Sequence, residues 1–264
     1  MRLINSLTGI AALGAGALFI TAPSFAATTL NVGDISILGY RSDADDGLAF
    51  VTWVDLDAGT EIKFTDCGYN GNGTWRASEN FLSWSNNTFG TIAAGTVITL
   101  SFPDSPGTPS SDLGGVISGN LNGTSSSGDQ LFAYQYSGAG TGFSGTSTSE
   151  TFAGNMIFGL TTNAWLTSGS TNSNTSYLPT ELASSIGNLN FATEVDNGQY
   201  TGIRSGLSNL LDYRALVLNT SNWTREDAGT TVLDSTDFTT APAPGALALL
   251  GVAGLVSRSR RRSA

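Results

Sequence analysis

Along much of this chain, apolar positions alternate with small or polar ones at the period of two that a half-buried β-strand requires. Ile35, Leu38 and Tyr40 stand out within Leu30 to Tyr40, which reads as one or two short strands. Leu48 to Val54 carries Phe50, Val51, Trp53 and Val54 and predicts a well-buried strand. Two related units follow. Ala58-Gly59-Thr60-Glu61-Ile62-Lys63-Phe64-Thr65 is echoed by Ala94-Gly95-Thr96-Val97-Ile98-Thr99-Leu100-Ser101. In each, Ala-Gly-Thr makes a turn and a strand follows. Ile62 and Phe64, or Ile98 and Leu100, share one face of that strand. Glu61, Lys63 and Thr65, or Thr99 and Ser101, take the other, the pattern of an antiparallel sheet with one solvated side.

Phe81 to Trp84, Leu113 to Ile117, Gln130 to Tyr136 and Met156 to Leu160 predict further strands. Gly138 to Ser149 and Thr167 to Ser176 read as polar loops, and Asn70 to Gly73 as a turn. Helix signals come late. Pro179 to Ile186 predicts one or two turns, and Gly206 to Tyr213 a helix with Leu207, Leu210 and Leu211 on one face. Ala215 to Leu218 either continues that helix or forms a strand; Trp223 buries its indole, and Phe238 belongs to a last edge strand. Short strands, glycine turns and little helix predict an all-β fold, an antiparallel β-sandwich with a few short helices.

The two ends break this pattern. Met1-Arg2, the apolar run Ile10 to Ile20 and Ser24-Phe25-Ala26 have the layout of a secretory signal peptide, residues 1–26, cleaved after Ala26. At the other end, residues 241–264, Pro242-Ala243-Pro244 is a stiff breaker. An uncharged apolar helix follows at 245–257, then Arg258, Arg260, Arg261 and Arg262. At about 1.5 Å per residue that helix spans about 20 Å, short of a hydrocarbon core of about 30 Å. It predicts a marginal, removable anchor whose arginines stay on the cytoplasmic side. The body, residues 27–240, would then lie outside the inner membrane.

Charge sharpens this. Five of the 11 basic residues (Arg2, Arg258, Arg260, Arg261, Arg262) and none of the 21 acids fall in the ends, leaving the body at −15. Such a balance argues against nucleic acid, whose phosphates need Lys and Arg. The chain has no histidine, so Ser-His-Asp, Cys-His and His-based zinc chemistry are excluded. The single cysteine, Cys67, allows no intramolecular disulfide and reads as a buried small residue.

Three constellations are candidates for chemistry. Asp43, Asp45 and Asp46, with Asp66 from a neighbouring strand, could offer carboxylates to calcium, but the segment lacks the ligand spacing and closing Glu of an EF-hand loop and fits a solvated acidic turn better. Trp75 and Trp165, in polar surroundings, could stack on sugar faces, whereas Trp53 and Trp84 read as core. Asp55, Asp57, Glu61, Asp66, Glu79 and Glu150 could supply a glycosidase pair, but no spacing selects one, so no catalytic residue and no obligatory cofactor is expected.

The tail resembles a PEP-CTERM sorting signal, also known as an ice-binding-protein C-terminal motif: a Pro-Glu-Pro-like tripeptide, a Leu/Gly/Ala-rich span and a terminal Arg cluster. Ala243 stands where glutamate is usual. The resemblance implies an exosortase-type processing enzyme as partner and transient inner-membrane anchoring. It also implies release to the cell surface, outer envelope or extracellular matrix, often alongside exopolysaccharide. The block from Gly33 to Tyr136 resembles a module recurring in secreted bacterial proteins, carried by Asp57 to Asp66, Ala93 to Thr96 and Ser127 to Tyr134, with Glu194-Val195-Asp196-Asn197 and Asn222-Trp223 fitting the same pattern. In outline the module is similar to a lamin-tail-like sandwich. The expectation is a non-enzymatic surface or matrix protein with a structural or adhesive role. A carbohydrate-binding module for exopolysaccharide and a calcium-stabilised adhesin are the alternatives.

Overall fold

A computed structural model describes residues 26–242, apart from 44, 89, 104–106, 122, 147 and 230. The expected signal peptide, all but its last residue, and the sorting tail beyond Pro242 lie outside the described residues. In chain order the first strands are β1 (Ile35–Arg41), β2 (Asp46–Thr52), β3 (Glu61–Thr65), β4 (Phe81–Ser85) and β5 (Val97–Phe102). Next come β6 (Ser110–Ser111), β7 (Gly115–Asn120), β8 (Gln130–Gln135), β9 (Phe143–Gly145), β10 (Glu150–Phe152) and β11 (Asn155–Thr161). The chain continues through β12 (Asn188–Asn190), β13 (Asn197–Tyr200), helix α1 (Leu210–Val217) and β14 (Trp223–Glu226).

These strands form two six-stranded sheets, β14-β13-β1-β2-β5-β6 and β12-β11-β8-β3-β4-β7, with β9 and β10 as a separate hairpin. All pairings are antiparallel except β11 with β12, so the second sheet is mixed rather than purely antiparallel. The apolar face of each sheet meets the other: Phe50 of β2 packs on Phe64 of β3 and edge-on against Trp84 of β4, with centroids at 5.3 and 5.4 Å. The result is a sandwich-like, predominantly β architecture around one large core.

The echoed Ala-Gly-Thr units build equivalent corners where the chain changes sheets. Thr60 N donates to Asp57 O and Thr96 N to Ala93 O, closing two turns whose third residues, Gly59 and Gly95, have φ of +83° and +93°. Glycine occupies that left-handed region without penalty. One corner leads from β2 into β3, the other from β4 into β5, and Leu56 pairs with Ile92 between them.

The outer face of the second sheet departs from expectation. Lys63 and Thr65, read as solvated, are buried. The loop after β3 and the β9–β10 hairpin fold over this face and form a second apolar cluster with Phe132, Tyr134 and Met156. Lys63 is tolerated there because its ammonium donates to Glu61 and to Ser83 Oγ. Gly138 to Ser149 is accordingly a loop that contains a strand. The late helix begins after Asn209, whose side chain accepts from Leu211 N at 3.0 Å as an N-cap. It buries Tyr213 and Val217, one turn apart, and leaves Leu211 exposed. Pro179 to Ile186 contains only a 3-10 turn at Thr180–Leu182. Phe238 is no strand residue: its ring fills a gap between Trp53, Tyr200 and Tyr213.

Candidate functional site

Three strand ends of the first sheet converge at one edge. Arg41, the last residue of β1, pairs with Asn197, the first of β13, and Asn197 pairs with Glu226, the last of β14. The residues one step further, Ser42, Asp196 and Asp227, therefore extend the same rung. Ser42 N donates to Asp196 O at 3.2 Å and continues the ladder on one side. The buried Asn197 carboxamide ties the ends together. Its Nδ2 donates to Asp43 Oδ2 at 3.0 Å and to Glu226 O at 3.4 Å, and its Oδ1 accepts from Ser42 N at 3.3 Å.

Acids accumulate at this edge. Carboxylate oxygens of Glu194, Asp196 and Asp227 lie within 4.8 Å of one another, the one such group of three among the described residues. Asp196 is 9% exposed, and its Oδ1, like Glu194 Oε1, is a buried oxygen that accepts no hydrogen bond. Burial first, then the neighbouring carboxylates, raise the pKa of both groups: Asp196 and Asp227 act on Glu194, and Asp43 and Asp227 act on Asp196. Glu194 and Asp196 approach closely enough to share a proton.

One cation faces them. Arg225 of β14 donates through Nη2 to Thr193 O at 2.7 Å and Thr162 O at 3.3 Å, and through Nε to Tyr40 Oη at 3.0 Å. Its guanidinium lies 4.2 Å from the Phe191 ring centroid. Burial pushes the Tyr40 hydroxyl up to about 12, so it stays protonated and donates to Val195 O at 3.1 Å. Nη2 and Nε of Arg225 thus serve carbonyls and this hydroxyl, and two buried carboxylate oxygens of the acidic group accept from no donor.

The structure disperses the acids singled out from sequence. Only Asp43 reaches this edge. Asp45 is exposed, and its carbonyl accepts from Arg41 Nε. Asp46 is buried and accepts from the backbone of Gly123 and Thr124. Asp66 belongs to the other sheet, where it accepts from Asn80 N at 2.7 Å and Asn80 Nδ2 at 3.0 Å. Burial raises its carboxyl to about 6. Asp129 lies close enough for the Asp66 charge to act on it; burial first, then that charge, raise its pKa well above the usual carboxylate range.

The two tryptophans also part company. Trp75, read from its polar surroundings as a stacking platform, is instead 3% exposed at the centre of the second cluster. Its ring meets Phe132 and Phe143 edge-on at 5.3 Å each, with Tyr69 and Phe152 beside it, because its backbone pairs with Glu150 and draws the β9–β10 hairpin over it. Trp165 is half-buried, stacked on Phe132 at 5.6 Å, with Nε1 donating to Asn188 Oδ1 at 3.3 Å. Cys67 is buried, and its thiol donates to Arg76 O, in keeping with a packing role. Ala26 and Pro242 are exposed; Ala243, Pro244 and the four tail arginines lie outside the described residues.

No protein-family model, curated protein or solved structure matches this chain. Among the described residues no helix is long and apolar enough to cross a membrane. Sequence reasoning passed over Glu194, Asp196 and Asp227 as ligands. The signal available was the i, i+2 spacing of Glu194 and Asp196, which in extended chain puts both carboxylates on one side.

Proposed function

We propose that the chain is an exported, non-enzymatic protein of the cell surface or extracellular matrix, with a structural or adhesive role, processed at both ends. One observation supports this reading: the described residues that flank the two expected processing points, Ala26 and Ala27 at one end and Pro242 at the other, are exposed and adjoin the first and last backbone anchors of the body. Ala26 and Ala27 are exposed, and the first backbone anchor is Thr28 N to Thr60 Oγ1 at 2.8 Å. Gln135 secures the next residues, accepting from Leu30 N and donating to Thr28 O. At the other end Ala241 N donates to Leu207 O at 2.7 Å, and the exposed Pro242 follows. Removing the residues before Ala27 or after Pro242 breaks none of these bonds, and Ala26, Ala27 and Pro242 beside the expected cuts are exposed. The body's surplus of acid keeps it soluble once released.

The test is the intact mass and location of the native protein in cells with and without the exosortase-type enzyme. Loss of both ends and recovery from matrix or medium supports the reading. Retention of the arginine tail in the inner membrane in both strains refutes it and marks Ala243 as a substitution that blocks processing.

A second reading, binding of exopolysaccharide, is favoured by two adjoining hollows of about 430 Å³ each that share Glu61 and Gly138. Tyr136, Gln135 and Asn155 line one, Ser83 and Thr141 the other, a mixture of hydroxyls, amides and an aromatic edge suited to sugar. Binding of the host polysaccharide that is lost on Tyr136→Ala and kept on Trp165→Ala assigns it to this furrow; the reverse result assigns it to Trp165.

A further inference from the structure

We propose that Glu194, Asp196 and Asp227, extended by Asp43, form a calcium site that clamps the ends of β1, β13 and β14. The inference goes beyond export and does not rest on it. The first support is the donor set. All four side chains offer carboxylate oxygen and none offers nitrogen or sulfur, the choice of a hard cation. The second is spacing. Two oxygens bound to one calcium at about 2.4 Å lie no more than about 4.8 Å apart. The oxygens of Glu194, Asp196 and Asp227 already meet that limit. Magnesium, at about 2.1 Å, would require a tighter set within about 4.2 Å and a stricter octahedron.

The third support is independent of the count of acids. Asp196 is nine-tenths buried, and its Oδ1 accepts nothing. A buried acceptor without a donor costs about 1–3 kcal/mol, more when charged. Glu194 Oε1 repeats the fault beside it. Two adjacent carboxylates in such a place are resolved by a shared proton or by a cation between them. A shared proton serves only the Glu194–Asp196 contact and does nothing for the Asp227 oxygen that lies within 4.8 Å of both. A divalent ion answers all three. Arg225 makes no hydrogen bond to Asp196 Oδ1 or Glu194 Oε1; its Nη2 and Nε donate to Thr162 O, Thr193 O and Tyr40 Oη. Asp227 is exposed, which leaves the ion a path of entry and room for water ligands.

The site would join elements far apart in sequence. Asp43 follows β1, Glu194 and Asp196 precede β13, and Asp227 follows β14. Neutralising them together removes repulsion at the edge of the first sheet, where β14 is the outermost strand.

The test uses the purified full chain, freed of metal with chelator, and calcium chloride as the probe. Calorimetric titration is expected to show one calcium per chain, with an affinity in the range of about 10⁻⁴–10⁻³ M typical of extracellular modules. The thermal midpoint is expected to rise by several degrees at about 5 mM calcium and to fall back with chelator. Asp227→Asn, an exposed change that does not threaten folding, is expected to weaken binding at least tenfold. Asp196→Asn is expected to abolish the calcium response while raising the midpoint of the metal-free chain, since it removes like-charge repulsion. The proposal is overturned if neither heat nor midpoint responds to calcium, or if both variants bind as the parent does. An equal response to magnesium overturns the assignment to calcium. Because every readout is on isolated protein, a failure here leaves the export reading intact, and retention of the tail in cells leaves this one intact.

Discussion

Asn197 Nδ2 donates to Asp43 Oδ2 at 3.0 Å across 154 residues of sequence, and this bond holds the end of β1 against the start of β13. The same carboxamide accepts from Ser42 N and reaches Glu226 O, so one buried side chain closes three strand ends. Asn197→Ala is expected to destabilise the protein by about 2–3 kcal/mol, because buried polar groups lose their partner and the Asp43 carboxylate loses the Asn197 amide donor. Urea denaturation of parent and variant checks this. Asn197→Asp should cost more, since it adds a further acid to the edge. A loss below about 0.5 kcal/mol for either variant would show that the edge tolerates fraying.

Asp66 and Asp129 predict an unusual pH dependence. Both carboxyls are raised in the folded chain, Asp66 to about 6, above the value near 3.9 of an unfolded aspartate. From about pH 4 to about pH 6 the folded state keeps protons that the unfolded chain has released. Stability from these groups is therefore present at the acid end and is lost as pH rises through that window. A two-unit shift at Asp66 corresponds to about 3 kcal/mol at most. Thermal midpoints in chelator should fall between pH 4 and pH 6.5, and Asp66→Asn should flatten the fall. A midpoint that climbs over this range would contradict the burial assigned to the pair.

Trp75 and Trp165 test which rings hold the outer face of the second sheet. Trp75 touches Tyr69, Phe132, Phe143 and Phe152, and truncating a buried ring of this kind costs about 3–5 kcal/mol. Trp165 makes one stacking contact and one hydrogen bond to a side chain and is only half-buried. Trp75→Ala should lower stability several-fold more than Trp165→Ala in guanidinium titrations. Limited proteolysis of Trp75→Ala should cut first within residues 138–149, where the hairpin loses the surface it rests on.

The alternation along β1, β2, β3, β5 and β8 made the strands legible, because each needs one apolar face and period two reveals it. It does not say what covers the second face. Lys63 and Thr65 are polar and still buried, since Trp75 and the β9–β10 hairpin close over them from elsewhere in the chain. Glycine and serine around Phe143 and Phe152 masked that hairpin as a loop. The acidic edge was half legible. Glu194 and Asp196 share a side by spacing alone, but Asp227 and Asp43 join them only through the pairing of β13 with β14 and β1. No local pattern encodes those registers. The dense acids at Asp43 to Asp46 drew attention for their count, yet they straddle the connection between two strands: Asp46 opens β2 and is buried against the Gly123 and Thr124 amides, while Asp43, beyond the end of β1, accepts from Asn197.

The two sheet-changing corners allow a matched pair of substitutions. Gly59 and Gly95 occupy the same place in the same turn with similar φ, +83° and +93°, so alanine pays the same backbone penalty of about 1–2 kcal/mol at each. Their surroundings differ. A Cβ on Gly59 meets nothing within 4 Å, whereas one on Gly95 lies 2.6 Å from Phe238 O and 3.2 Å from Leu210 Cδ2. Phe238 cannot easily retreat, because its N–H donates to Gly95 O at 2.8 Å and its ring is wedged among Trp53, Tyr200 and Tyr213. Gly95→Ala should therefore cost at least about 1 kcal/mol more than Gly59→Ala, the range in which overpacking a closed site falls. The excess measures how firmly the segment around Phe238, three residues before the last anchored backbone at Ala241, is held to the body. Equal losses in the two variants would mean that this segment gives way freely, and Pro242 would then begin a loose end longer than the hydrogen bonds suggest.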